Sequence, residues 1–301
     1  MKFFEDILSE QSRIENAIKK YGHSPEHNFC WYQYQARKNL KNVFVEFDNG
    51  EGLLTIEERD KKRIAVFSSP IASPPRRAKI IIGYLEKIFE LSKIEKVIFE
   101  LESSLYKEVL GGLPKNLKAR AINYTLTWPV YNLKNLDASL AGGHWKTLRK
   151  AKNKFYENYL VSVADAKTYK DKESLHLIIN EWRKKRGGSD RTHFSAYNNF
   201  IEGDFRGADE ARVFIVNNKA VGINAGWLIP NSNRFYGALG IHNYSLPDLG
   251  DVLYLEDLLW LKEHGYKEAD MGGGEGALTS FKSKFYPESF YKTNIFSVVK
   301  K

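Results

Sequence analysis

One cysteine, Cys30, stands among 301 residues, so no disulfide can form within the chain and a reducing compartment is expected. No run approaches 18 apolar residues, so no segment reads as membrane-spanning. The opening MKFFEDILSEQ is too acidic, and its apolar run too short, for a secretory signal, which points to the cytoplasm. Zinc-ligand spacing, a Walker loop and heptad repeats are all missing, which removes zinc modules, P-loop ATPases and coiled coils. What the chain does have is 43% hydrophobic and 28% charged residues, enough for a substantial core. Its net charge is +9 and its pI about 9.2. That balance favours an anionic partner such as tRNA, lipid headgroups or a nucleotide, or simply serves solubility.

The element order reads as a repeat. Residues 3 to 20 form an amphipathic pattern with Phe4, Ile7, Leu8, Ile14 and Ala17 on one side. The aromatic cluster Phe29-Cys30-Trp31-Tyr32-Gln33-Tyr34 suits a core or, alternatively, stacking on a base. Val43 to Phe47 and Gly52 to Ile56 flank Asp48-Asn49-Gly50, a hairpin signal. A strand at 63–68, a helix opened by Pro74-Pro75, a strand at 96–101, a helix at 103–110 and a strand within 119–133 follow. The second half repeats this order. It has helices at 145–156, 172–185 and 194–202, strands at 160–164, 211–216, 220–229 and 234–241, then helix, strand, helix, strand. Division into residues 1–135 and 136–301 is expected. The first half has no counterpart of the motifs described next, so its role is to shape one wall of a shared cleft.

Those motifs lie between Tyr236 and Tyr286. An apolar strand enters a loop at His242-Asn243, where Asp248 or Asp251 is placed to cap a helix. That helix stops at His264-Gly265. A short strand then ends in Asp270-Met271 and the glycines 272 to 274, before a last helix. This places loops at the carboxyl ends of strands, where open sheets bind ligands. On the last helix Leu278, Phe281 and Phe285 share a face. Lys282, four residues after Leu278, projects beside that face, and Lys284 points away. Lys282 either aims a partly desolvated ammonium at a cleft or covers apolar surface with its stem.

The run YLEDLLWLKEHGYKEADMGGGEGALTSFKSKF resembles the C-terminal half of the FemAB-like acyltransferases of the GNAT superfamily. The elements that match are Gly265, Asp270 with its glycines, and Phe281-Lys282-Ser283-Lys284-Phe285. Tyr286 stands where the family has Gly. The chain is also similar to the catalytic domain of phosphatidylglycerol lysyltransferases, through Trp145-Lys146-Thr147-Leu148-Arg149-Lys150-Ala151 and Glu181-Trp182-Arg183-Lys184-Lys185. The resemblance implies an α/β (α+β) fold of two tandem GNAT-like domains, each a mixed, mainly antiparallel sheet flanked by helices. It also implies transfer of an aminoacyl group from aminoacyl-tRNA to an amine or hydroxyl. The acceptor would be a small molecule, a peptide or a lipid headgroup, with peripheral contact to an anionic membrane. No permanently bound cofactor or metal is expected. An acyl-CoA donor is the alternative, although the Gly-rich pyrophosphate loop of acetyl-CoA enzymes is replaced by Ser245-Leu-Pro-Asp-Leu-Gly-Asp251. A fold without turnover that binds RNA or a partner is the third reading.

Acyl transfer needs a held donor, a polarised carbonyl and a base. Lys282 is the candidate oxyanion stabiliser. Asp270 is a base, an amine-recognising carboxylate or a helix cap, and Tyr286 and Tyr236 are candidate proton donors. Donor contacts fall to His242, Asn243, Gly250, Asp251 and Val252 at the strand-to-helix loop, and to Asn224, a polar residue in an apolar strand. Contacts to tRNA or substrate fall to Trp145, Arg149, Lys150, Arg191 and Glu275. Lys146, Arg149, Lys150, Lys152 and Lys154 put five cations in nine residues. Arg183 to Arg186 and Arg191 add a second basic cluster.

Overall fold

The computed structural model describes residues 1–301 apart from 37–39, 59–60 and 187–193. The first half of the chain runs β1 (Lys2–Phe4), α1 (Gln11–Tyr21), α2 (Phe29–Tyr34), β2 (Leu40–Glu46), β3 (Gly52–Glu58), β4 (Arg63–Ile71) and α3 (Arg77–Leu91). It continues through β5 (Lys96–Glu102), α4 (Ser103–Gly112), β6 (Leu117–Ala119) and β7 (Tyr124–Asn132). The second half runs α5 (Lys146–Asn158), β8 (Val161–Asp165), α6 (Lys172–Arg186), α7 (Phe194–Glu202), β9 (Glu210–Val216), β10 (Lys219–Leu228) and β11 (Arg234–His242). It closes with α8 (Leu249–Glu263), β12 (Glu268–Asp270), α9 (Gly276–Ser283) and β13 (Ser289–Lys300).

Local chemistry explains these elements. Asn49 and Gly50 take positive φ between β2 and β3, as do Asn217 and Asn218 between β9 and β10, the backbone that tight hairpins require. Helix α1 starts eight residues later than its amphipathic pattern suggests. The Asp6 carboxylate accepts from the N–H of Leu8 and Ser9 at 3.2 and 3.3 Å, and this local turn competes with helix. The aromatic cluster at 29–34 is helical, capped by Asn28, whose Oδ1 accepts from the Trp31 N–H. Trp31, Tyr32 and Tyr34 are buried, so the cluster is core.

The described strands form one mixed sheet in the order β1-β2-β3-β4-β5-β13-β7-β12-β11-β10-β9-β8, with β6 also on β13. The path is nearly symmetric about its centre. In each half an antiparallel meander leads to one parallel pair, β4 with β5 and β11 with β12. Each parallel pair is then flanked by the last strand of the other half: β13 lies on β5, and β7 lies on β12. β7 and β13 pair with each other and join the halves. The expected repeat is present, but both exchanged strands cross the division drawn at 135/136. The connection at 133–145 is also packed, burying Leu133, Leu136, Leu140 and Trp145 with α8.

The second meander positions the site. Ala225 pairs with Leu239 but Gly226 pairs with Gly237, so β11 carries the extra residue Ala238 as a bulge. β11 pairs with β12 only at Arg234–Tyr236, opposite Glu268–Asp270. β11 then runs on to His242 while the other chain turns away into the glycines.

Candidate active site

Asp270 ends β12 fully buried. Its two oxygens are held: Tyr291 Oη–H donates to Oδ2 at 2.6 Å and the Gly272 N–H to Oδ1 at 3.0 Å. Burial pushes this carboxyl up to about 6, against the pull of those two donors and of Arg234 and Lys282. Burial and the Asp270 charge push the Tyr291 phenol up as well.

Lys282 is also buried, at 6% exposure. Its ammonium neither reaches water nor projects freely into a cleft. It donates to the carbonyls of Met271 at 2.6 Å and Gly272 at 2.7 Å, with Gly273 at 3.5 Å. Burial lowers it to about 8, partly offset by Asp270 and reinforced by Arg186. The helix pattern placed Lys282 beside the apolar face. Its destination depends on the path of the glycine loop, which the pattern does not contain. Gly272 sits at φ +79°, a conformation open to Gly. A Cβ on Gly273 would lie 2.7 Å from Trp128 Cε2. Gly274 exchanges N–H and C=O bonds of 2.9 Å with Thr127 of β7. The three glycines therefore let the loop lie flat on β7. In a trans peptide the carbonyl and the following N–H point oppositely. Lys282, by holding the Gly272 carbonyl, turns the Gly273 N–H the other way.

Gly273 and Tyr291 line a cavity of about 970 Å³ at the seam between the halves. Trp128, Tyr236, Tyr197 and Glu275 share its wall from the second half and the exchanged strands, with Glu26 and Glu100 from the first. Trp128 stacks on Tyr291 with ring centres 5.5 Å apart and planes 16° apart. Trp128 Nε1–H donates to Thr293 Oγ1 at 2.8 Å, and that hydroxyl donates to Glu100 Oε1 at 2.7 Å. Tyr291, Trp128, Glu26 and Glu100 were missed by sequence reasoning. The strand alternation of β13 marks Tyr291 only as facing one side, and partners 21 or more residues away leave no local trace.

The other expected residues are dispersed. His242 and the 243–252 segment lie outside the cavity lining. The His242 ring stands 4.3 Å from the Tyr244 ring and close to Gly250, and burial lowers its pKa to about 4, so it is neutral. Asn243 Oδ1 accepts from the N–H and hydroxyl of Ser245. Asp248 stands at the start of α8 without a side-chain cap. Asp251 pairs with Lys284 at 2.9 Å, which ties α9 to α8. Val252 is core, and so is Trp145, because helical packing required apolar residues there. Asn224 Oδ1 is buried with no hydrogen-bond partner, facing Gly240. Tyr286, at φ +55°, donates to the His144 carbonyl at 3.0 Å and stacks edge-on against Trp145. Arg149 donates to the carbonyls of Leu140 and Gly142, so it ties down the preceding loop. Lys150 is exposed, and Glu275 lines the seam cavity. Arg191 lies outside the described residues.

This architecture is a tandem GNAT fold. The C-terminal DUF2156 domain of an Agrobacterium fabrum protein assigned as a lysylphosphatidylglycerol synthetase superposes with a TM-score of 0.69 at 13% identity, covering 97% of this chain and 91% of that one. FemX superposes at 0.63 and 10% identity over 98% and 97%. A tandem GNAT protein from the clavulanic acid biosynthesis pathway does so at 0.54 and 10% identity over 99% and 98%. By sequence, no family model and no curated protein matches the chain. Among the described residues no helix is long and apolar enough to cross a membrane.

Proposed function

We propose that the chain is a transferase that moves an aminoacyl group from aminoacyl-tRNA to an amine or hydroxyl acceptor at the seam cavity. The observation that carries this reading is the buried Asp270–Tyr291 pair beside the Lys282-pinned glycine loop. Tyr291 donates to Asp270, so its oxygen is turned to accept a proton from a nucleophile in the cavity. The nucleophile attacks the ester carbonyl of the donor. Its proton passes to Tyr291 Oη as the Tyr291 proton passes to Asp270 Oδ2. A carboxyl near 6 is ionised at neutral pH and close enough to the operating pH to work as a base. The Gly273 N–H serves the developing oxyanion, and Lys282 is a positioning residue behind it. Collapse expels the ribose oxygen, which recovers the proton from Asp270 through Tyr291.

The donor assignment rests on the likeness to FemX and the synthetase domain, together with α5. There Lys146, Lys150 and Lys154 are exposed at i, i+4 and i+8, on one helix face, where a phosphate backbone can lie. Lys152 is paired with Glu256 at 2.8 Å and takes no part. Coenzyme A is the weaker donor, because the segment leading into α8 reads Ser245-Leu-Pro-Asp-Leu-Gly-Asp251 in place of a Gly-rich pyrophosphate loop. The test is single-turnover transfer from a pool of radiolabelled aminoacyl-tRNAs to amine, hydroxyl and lipid acceptors. Tyr291→Phe and Asp270→Asn should each lose on the order of a hundredfold or more while binding tRNA normally. Transfer unaffected by both substitutions would remove this chemistry, and transfer from acyl-CoA alone would replace the donor.

A further inference from the structure

A hydroxyl bonded to an imidazole stands on the first-half wall of the seam cavity, which both Ser69 and His23 line. The strand that carries Ser69 is irregular for a local reason. Pro70 has no N–H to give to a ladder. β4 fits Phe67 to Ile71 opposite Leu54 to Gly52 of β3, so it bulges around Ser69. On its other side β4 pairs with β5 only from Arg63 to Val66. Ser69 therefore lies outside the paired register on both sides. It sits at the open end of the first parallel pair, the counterpart of the place where β11 and β12 part. Bulges re-aim side chains in this way.

The Ser69 hydroxyl meets His23 Nε2 at 3.1 Å. The other ring nitrogen fixes the tautomer. His23 Nδ1 lies 2.9 Å from the Tyr21 carbonyl. A carbonyl only accepts, so the ring proton is on Nδ1 and Nε2 is bare. Ser69 Oγ–H is then the donor. Burial lowers the His23 pKa to about 4, against the Tyr21 bond, so the ring is neutral at neutral pH. His27 holds both partners. Its Nδ1 accepts from the His23 N–H at 3.0 Å, and its Nε2–H donates to the Ser69 carbonyl at 2.8 Å. The two rings meet edge to face, 4.9 Å apart. Arg77, charged beside Glu102 and Glu108, stands on the same lining. A hydroxyl bonded to a bare imidazole nitrogen, with the ring oriented through its other nitrogen, is the arrangement that activates a serine. Here a backbone carbonyl does the orienting.

We propose that Ser69 is a nucleophile that accepts an acyl group from a carboxylic ester in the seam cavity, with His23 as its base. Ser69 Oγ bonds to the acyl carbon as its proton passes to His23 Nε2. The ester C–O bond then breaks, and the leaving oxygen takes that proton back. The product is an ester of Ser69, which water cleaves by the same two transfers. Arg77, whose charge acts on His23, is available to the tetrahedral oxyanion. The step needs neither RNA nor the Asp270–Tyr291 pair, so it stands apart from the transfer reading.

The experiment is incubation of the full chain with 4-nitrophenyl acetate at neutral pH, an acid quench and peptide mapping by mass spectrometry. Acetyl should appear on Ser69. Ser104, more exposed on the same lining, should stay unmodified. Ser69→Ala should abolish that adduct and the nitrophenolate release that accompanies it. His23→Gln should slow acetylation of Ser69 about a hundredfold or more. If His23→Gln melts early, the wild-type chain is compared folded and in urea, where Ser69 should lose its advantage over Ser104. Three results overturn the proposal: neither an adduct on Ser69 nor release that depends on it; equal adducts on Ser69 and Ser104 in the folded chain; or acetylation of Ser69 unchanged in folded His23→Gln. No tRNA is used, so a chain that acetylates Ser69 but transfers nothing would refute only the transferase reading. One that transfers without modifying Ser69 would refute only this one.

Discussion

Lys282 and Lys284 are two residues apart and do different work. The Lys282 ammonium satisfies loop carbonyls from within the protein, whereas Lys284 is half exposed and pairs with Asp251. Lys282→Met should lower turnover about a hundredfold by freeing the Gly273 N–H. It should also lower stability by about 1 to 3 kcal/mol, because buried carbonyls lose their donor. Lys284→Met should leave turnover within about twofold and cost under about 1 kcal/mol, as an exposed pair does. Chemical denaturation and single-turnover rates on both variants decide it; equal loss in the two would end the positioning role. Asp270 adds a pH signature. Its folded pKa is raised from 3.8 to about 6, so its contribution to stability is full below 3.8 and is lost as pH rises through 6. The span corresponds to about 3 kcal/mol. Lys282 is lowered from 10.5 to about 8, so the penalty of burying its charge is relieved as pH climbs from 8 to 10.5. Wild-type denaturation midpoints should fall between pH 4 and 6, and Asp270→Asn should flatten that fall. Asp270 and Lys282 were legible in the sequence as a strand-end acid and a lysine beside an apolar face. Tyr291 was not, because its partner lies across two strands.

At the scale of elements, α5 shows what a charge pattern reveals and what it hides. Five cations in nine residues announce a basic helix. Their division of labour appears only when the helix is packed: Arg149 turns back to the 140–142 loop and Lys152 to Glu256. That leaves Lys146, Lys150 and Lys154 exposed. Reversing these three to Glu should reduce tRNA affinity by orders of magnitude at low salt. It should also flatten the logarithmic salt dependence by about one unit per lost phosphate contact. Lys152→Glu should place two acids side by side and weaken the α5–α8 packing without changing that slope. Filter binding across a salt series separates the two effects; an unaltered slope in the triple variant would make α5 ordinary solvated surface. The segment from His242 to Val252 is the opposite case. Strand, loop and helix were all legible there, but not the direction in which the loop faces, which follows from how α8 packs on the sheet.

For the whole molecule, the symmetric sheet carries a consequence for folding. The repeat of strand and helix order was readable because hydrophobic period and turn residues are local. The exchange of last strands was not. β7 and β13 are both apolar strands, and nothing in an alternating pattern names which edge each will join. In the structure β13 covers the β5 edge from Lys96 to Glu102, and its Phe296 and Val298 are fully buried in the core formed by β2 to β5, α3 and α4. β7 in turn covers β12 at Val130 to Asn132. Neither half therefore owns a complete core. A fragment of residues 1–135 would expose the apolar face that Phe296 fills and an unpaired β5 edge, a combination that aggregates or stays unfolded. Such a fragment alone should show no cooperative thermal transition. Co-expression with residues 136–301 should give a single complex that melts as one unit near the intact chain. A sharp transition for residues 1–135 by themselves, at a temperature close to that of the full protein, would mean that the first half completes its own core without β13, and the exchange would then be a matter of docking rather than of folding.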